Sequence, residues 1–274
     1  MSRAGVDLIQ LLDSPETVLD DVVKRIEYDP GLTAELLKFA NSAHFGFPRA
    51  VRTVRDAVMR LGTKRVYHLL MASLTTPWMT PKVKGYDMPP KALWHHAMAV
   101  AIAAEELAKY LNRPPPEYTF TAALLHDIGK VVLGTFVEID TAPILKLAFD
   151  EHLSFEVAER QVIGLDHAEV GAMLLSEWEL PEEIVDVVRW HHDPDSAAGD
   201  KLVVDLTHVA DTVSMAGSMG IGMDGLNYEF HMSAAERLGG LDTVALETVE
   251  CNTLTVLEEM LKLFADTRES TGRD

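Results

Sequence analysis

Several of the eleven histidines in this 274-residue chain are placed rather than scattered. His95-His96 and His191-His192 are pairs, Asp127 directly follows His126, and His167, His208 and Asp211 extend the series. His96 lies three residues after Leu93 and four before Val100, on an apolar helical stripe, whereas His95 turns toward Glu106 and Lys109. Asp127 shares the register of Phe120, Leu124 and Val131. A carboxylate on such a face must be paired or bound to a cation, because burying an isolated charge costs several kcal/mol. His167 aligns with Val170, Gly171 and Leu174. His191 follows Ile184, Val187 and Val188, and Asp211 sits between Ala210 and Val213.

A single histidine on an apolar stripe is ordinarily a hydrogen-bonded core residue. The ordered set is different: His96, His126 with Asp127, His167, His191 with His192, and Asp211 each fall on the inward face of their own helix. Imidazole and carboxylate without thiolate suit Fe, Mn, Co, Ni or Zn, and Mg where oxygen dominates. An aspartate can also bridge two ions about 3.5–4 Å apart, the spacing that clamps attacking and leaving oxygens in phosphoester hydrolysis.

The elements that must carry these residues are all helical. Asp13 or Ser14 is a candidate cap for a helix entering at Pro15, with Val18, Val22, Val23 and Ile26 at helical spacing, and Asp29-Pro30-Gly31 interrupts it. Leu32 to Ala40, Val51 to Arg60 and Thr63 to Ser73 follow. Pro77, Pro81 and Pro89-Pro90 punctuate a linker, which sets an expected division into 1–88 and 89–274. Beyond it come a stripe from Leu93 to Leu111, a helix from Thr119 to Leu133, and a capping box of Asp166 with Glu169. A helix opened by Pro181, one from Val203 to Met215, a Gly/Met-rich loop from Gly217 to Gly225, a short helix from Ser233 to Leu238 and a long amphipathic segment from Val244 to Phe264 complete the chain. The fold class expected is all-α: a helical N-terminal subdomain followed by a helical metal-site subdomain with a C-terminal helical extension.

Lys and Arg number 24 against 43 Asp and Glu, a formal charge of −19, which argues against generic binding to nucleic acid. The imbalance is uneven: residues 1–91 carry +3 and the remainder −22. Arg49, Arg52, Arg55, Arg60, Lys64 and Arg65 form a basic run that reads first as a solvated face and second as a docking surface. The single Cys251 excludes an intrachain disulfide and any multi-thiolate site, as expected in a reducing compartment. No stretch approaches a bilayer span in length, so a cytoplasmic location without membrane contact is expected.

Leu93-Trp94-His95-His96, Leu124-Leu125-His126-Asp127-Ile128-Gly129-Lys130, His167-Ala168-Glu169-Val170-Gly171, Trp190-His191-His192 and His208-Val209-Ala210-Asp211 resemble the ordered motifs of the HD metal-dependent phosphohydrolase superfamily. Upstream, Asp29 to Thr33, Leu36-Leu37, Ala40 to Ala43, and Val54 to Leu61 followed by Gly62 resemble the N-terminal signature of the HD-related output domain, HDOD. The likeness runs from about residue 8 to 264. It implies one divalent ion on His96, His126, Asp127 and Asp211, and a second sharing Asp127 with His167 and either His191 or His192. Iron or manganese stands ahead of Zn, Co, Ni or Mg. Lys130 is a candidate to hold a substrate phosphate beside the catalytic Asp127, or else a snorkelling surface lysine. The chain departs from the HD-GYP phosphodiesterases, since Val131-Val132-Leu133-Gly134 follows the His-Asp helix and Asp193-Pro194-Asp195 follows His192. Cyclic-di-GMP is therefore not implied.

Two functions follow from this resemblance. The first is a signal-transduction output module that carries a two-metal site and answers to a signalling protein partner or a small phosphate-containing ligand. The second is a metal-dependent phosphohydrolase or phosphodiesterase acting on a nucleotide or other small phosphoester.

Overall fold

Wherever apolar residues recur at every third or fourth position the chain forms a helix, and the fold is all-α. The computed structural model describes residues 3–12, 18–42, 44–47, 49–137, 139–220, 222 and 228–269. The cap expected at Asp13 or Ser14 and much of the Gly/Met-rich loop lie outside these residues. Among the described residues the only β pairing is an isolated antiparallel bridge between Val83 and Met88.

The chain separates into two compact units, Met1–Thr75 with Thr255–Asp274, and Thr76–Leu254. The first begins with α1 (Arg3–Leu12), α2 (Leu19–Glu27), α3 (Pro30–Ala40), α4 (Val54–Leu61) and, as far as Thr75, α5 (Thr63–Met79). Asp29-Pro30 does more than interrupt: the Asp29 carboxylate accepts from the Gly31 and Leu32 amides, and Pro30 supplies the preset φ of a first helical residue. Asn41 closes α3 and ties the following loop, with its amide donating to the Val51 carbonyl at 2.8 Å and its oxygen accepting from the Val51 amide at 2.8 Å. Part of the basic run is spent on local ion pairs, Arg55 with Asp20 at 2.6 Å and Arg60 with Asp56 at 2.7 Å. The α5 helix continues six residues past Ser73, through Pro77. A proline in the final turn removes only one backbone bond, so the helix tolerates it there.

The second unit is built around α6 (Ala92–Tyr110), in which 14 of 19 residues are buried. Its alanines at 97, 99, 101, 103 and 104 let neighbouring backbones approach closely, and α6 packs against α7 (Thr119–Leu125) and α13 (Leu202–Ala216). Between these lie α8 (Ile128–Val131), a π-helical turn at Val132–Val137, α9 (Ala142–Glu151), α10 (Phe155–Ile163), α11 (His167–Glu177) and α12 (Glu182–Trp190). The continuous helix expected from Thr119 to Leu133 is instead broken at His126-Asp127, where Asp127 adopts φ −99° and ψ 12°. After α14 (Met232–Arg237), α15 runs over Thr243–Glu269. Its residues from Thr255 group with the N-terminal unit, where Phe264 meets Phe39 edge-on at 4.9 Å between ring centroids. Within that helix Ala245, Val249 and Leu257 are buried, whereas Val244 and Leu254 are exposed.

Gly129 is required for the close approach of α8 to α11. A Cβ at this position would lie 1.9 Å from the His167 carbonyl oxygen and 2.7 Å from the Gly171 nitrogen, both main-chain atoms. Backbone cannot move aside as a side chain can. Gly129→Ala should therefore cost at least about 3 kcal/mol, the upper end for overpacking, measured as a lower urea midpoint at unchanged slope. An unaltered midpoint would show that α8 and α11 have room to part.

Candidate metal centre

Helix ends deliver most of the site. His126 closes α7 and His191 closes α12, positions where the last carbonyls have no intrahelical partner. Each imidazole uses one of these: the His126 Nδ1–H donates to Ala123 O at 2.7 Å and the His191 Nδ1–H donates to Val188 O at 2.7 Å. A carbonyl can only accept, so Nδ1 carries the proton and Nε2 keeps its lone pair. His167 is the first residue of α11, directly after Asp166, which caps that helix by accepting from the Glu169 amide at 2.7 Å. His96 and Asp211 project from the middles of α6 and α13. Asp127 stands at the head of α8 but makes no capping bond there, so its carboxylate is available to the cluster.

These residues meet around Asp127, whose exposure is 0%. Its Oδ2 lies 3.3 Å from His126 Nε2 and 3.6 Å from His96 Nε2. Its Oδ1 lies 3.4 Å from His167 Nε2 and 3.8 Å from His191 Nε2. Asp211 Oδ1 is 3.0 Å from His96 Nε2 and 4.0 Å from His126 Nε2. His192 Nε2 sits 2.8 Å from His167 Nε2 and is the least buried of the cluster, marking the side nearest solvent. Two overlapping groups could each hold a metal ion: His96, His126 and Asp127, and Asp127, His167, His191 and His192. Asp127 belongs to both. His96, His126, Asp127, His167, His191 and His192 thus lie in these two groups, with Asp211 beside the histidines of the first and both His191 and His192 in the second.

The donor set fits a cation on its own evidence. Among the described residues nine buried side-chain polar atoms have no hydrogen-bond partner, and four of the nine are His126 Nε2, His191 Nε2, Asp127 Oδ1 and Asp211 Oδ1. All four are lone-pair acceptors and all belong to this cluster. Buried acceptors left unsatisfied cost roughly 1–3 kcal/mol each, so a fold that collects four of them has an electrophile as their natural partner.

Lys130 lies 2.6 Å from Asp127 Oδ2, is buried, and faces the Tyr86 ring, so it is no snorkelling surface lysine. His208, by contrast, is a structural histidine: its Nδ1–H donates to the His191 carbonyl at 2.8 Å and its Nε2 accepts from the His231 amide at 2.9 Å. His95 is off the cluster, as its register implied.

The sequence reading passed over Glu159. It is fully buried in α10 and accepts from the His167 Nδ1–H at 2.6 Å. Its spacing from Phe155, one helical turn earlier, carried the same signal that singled out Asp127: a carboxylate on an apolar face.

Electrostatics follow from these contacts. Burial opposes charge on His167, yet the Glu159 carboxylate overrides it and pushes the imidazole up to about 10. Burial, reinforced by His126, drives His191 down to about 3, and His192 is likewise well below its ordinary value through burial and His191. Burial would raise Asp127, but His126 and Lys130 hold it well below the usual carboxylate range, and His96 does the same for Asp211.

The family model for the HDOD domain matches residues 2–194. An uncharacterised protein of Treponema pallidum is 26% identical over 189 residues, covering 69% of this chain and 36% of that protein. Ribonuclease Y of Thermus thermophilus is 31% identical over 125 residues, 46% of this chain and 16% of the enzyme. The chain thus spans about a third of the first relative's length and a sixth of the second's. An HDOD domain protein of unknown function from Geobacter sulfurreducens has a TM-score of 0.70 at 24% identity, covering 95% of this chain and 90% of that one, a likeness of fold.

The opposed histidines give the metal-free protein a defined pH response. His191 has its folded value below the unfolded value of about 6.5, so its contribution is present above 6.5 and is lost as pH falls toward 3. His167 has its folded value raised, so its contribution is full below 6.5 and is lost as pH rises toward 10. Each limb should approach about 1.4 kcal/mol per pH unit. Denaturant midpoints of chelator-treated protein between pH 4 and 10 should show both, with His191→Gln reducing only the acid limb, to which His192 also contributes. The same acid limb in the variant would contradict this account.

Proposed function

The chain belongs to the HDOD family, and we propose that it is a signal-transduction output module organised around a two-ion metal centre. The observation that carries this reading is the convergence of four unsatisfied buried acceptors on one carboxylate shared by two ligand groups. One ion would be held by His96, His126, Asp127 and Asp211, and the other by Asp127, His167, His191 and His192. Imidazole with carboxylate and no thiolate suits Fe, Mn, Co, Ni or Zn, and the likeness to the HD phosphohydrolases puts iron or manganese first among them. A pair of divalent ions supplies positive charge that receives a phosphate oxygen, which makes a small phosphate-containing molecule the fitting ligand.

The chain's own groups would divide the remaining work. Asp127 bridges. His126 and His191 present fixed lone pairs because their other nitrogens are held by main-chain carbonyls. Lys130 is the buried cation beside the bridging oxygen, placed to balance charge there. His192 stands on the side from which a ligand would enter. A signalling protein partner would read the state of the module. No helix of the described residues is long and apolar enough to cross a membrane, and the acidic surface disfavours nucleic acid.

A second reading, turnover of a nucleotide or other phosphoester, is favoured by two observations. Lys130 is buried against Asp127 instead of standing in solvent, where it could take a substrate phosphate once ions compete for that carboxylate. The 31% identity to Ribonuclease Y over 125 residues points the same way. Here Asp127 and Lys130 would be the catalytic pair.

Protein reconstituted with manganese or iron should bind two ions per chain by elemental analysis. Asp127→Asn should empty both positions, His96→Ala should weaken one, and His95→Ala should change neither. Inorganic phosphate should bind the loaded protein, and a nucleoside monophosphate should compete with it; the metal-free protein and Asp127→Asn should bind neither. Absence of stoichiometric metal after reconstitution would remove the centre from the function. A nucleotide and phosphoester turnover screen on the loaded protein then separates the two readings, since steady product release belongs only to the second.

A further inference from the structure

Four imidazoles in this unit dispose of Nδ1 in the same way. His96, His126, His191 and His208 each donate it to a main-chain carbonyl, of Met219, Ala123, Val188 and His191 respectively. His167 cannot, because it is the first residue of α11 and a helix start presents free N–H groups, not carbonyls. An acceptor must come from another element, and α10 supplies it. Glu159 Oε2 receives both the His167 Nδ1–H at 2.6 Å and the His167 main-chain N–H at 3.1 Å. Its other oxygen, Oε1, is taken by the Tyr86 hydroxyl from the short 3₁₀ turn at Lys84–Tyr86. The next residue of α10, Arg160, holds Asp166, the N-cap of α11.

Glu159 is therefore a fully buried carboxylate with both oxygens satisfied and no solvent. A structural anchor for one main-chain amide would not need this charge, and burying it unpaired would be costly. What the arrangement does is fix the His167 ring plane with an anion behind it and Nε2 aimed at Asp127 Oδ1, so that Nε2 would be an electron-rich donor once its proton gives way to an ion.

We propose that Glu159 is a positioning residue of the metal centre, held in turn by Tyr86, and that it governs the group containing His167 but not the group containing His96. The proposal rests on the two-ion reading above. It makes the two positions unequal by construction, since only one has a ligand backed by a carboxylate instead of a carbonyl.

The test is titration of the chelator-stripped full chain with cobalt(II), followed by its visible absorption and by calorimetry, with melting of each metal-free variant as the control. Wild type should show two binding steps. Glu159→Gln should weaken one step by about 10–100-fold, the usual effect of removing an outer-shell partner, and shift the absorption of that step while leaving the other within about twofold. Tyr86→Phe, which keeps the bond from Glu159 to His167, should move the same step in the same direction by less. Two unchanged steps in a folded Glu159→Gln overturn the proposal while the two-ion reading stands, and so does an equal loss at both steps accompanied by a lowered melting temperature. Should Glu159→Gln fail to fold, wild-type affinities in Tyr86→Phe overturn it. No cobalt uptake by wild type overturns the two-ion reading and this proposal together.

Discussion

A carboxylate with no access to water cannot stay charged unless cations surround it, and Asp127 is such a group at 0% exposure. Burial alone would raise its pKa and neutralise it. Instead the His126 imidazole, Lys130 at 2.6 Å and His167 hold it ionised. Satisfying that one charge requires helices α6, α7, α8, α11 and α12 to bring polar atoms to a point within an otherwise apolar core. The alanine-rich α6 and the missing side chain at Gly129 are consequences, because both allow backbones to approach closely enough for this meeting.

The same constraint explains the use of helix ends. In the middle of a helix every main-chain carbonyl is already bonded, so a histidine there must find an outside acceptor, as His96 does at Met219 O. At a C-terminus free carbonyls lie within reach of the residue's own Nδ1, which fixes the tautomer without help from distant chain. His126 and His191 exploit this. At the break after His126 the Ala123 carbonyl receives the His126 main-chain N–H only at 3.5 Å and the His126 Nδ1–H at 2.7 Å, so the ring takes the stronger share of it.

Charge within the metal-free cluster is balanced by protons and by Lys130. His167 and Lys130 carry positive charge against Asp127, Asp211 and Glu159, whereas His191 and His192 are held neutral by burial and by one another. Metal ligation requires deprotonated donors, so loading such a centre exchanges protons for ions. The strongly acidic composition around it has little bearing on ligand choice, because local charge dominates where water is excluded.

Helical periodicity made the all-α class and most helices legible in the sequence, and the same periodicity placed His96, Asp127, His167, His191 and Asp211 on inward faces. Inward direction is a local property, decided by spacing along one helix, so it can be read without knowing the neighbours. Three features could not be read that way. The helix break at Asp127 depends on α8 docking against α11 at Gly129, a contact between segments some forty residues apart. The burial of Lys130 depends on what lies over it, and no pattern along its own short helix distinguishes a snorkelling lysine from a sealed ion pair. The role of Glu159 depends on a partner eight residues away meeting it from a different helix, with Tyr86 contributed from 73 residues earlier. The sequence by itself determined which side chains point inward. Only the tertiary structure decided which of them share a volume, because that is set by the packing of separate helices and not by the repeat of any one.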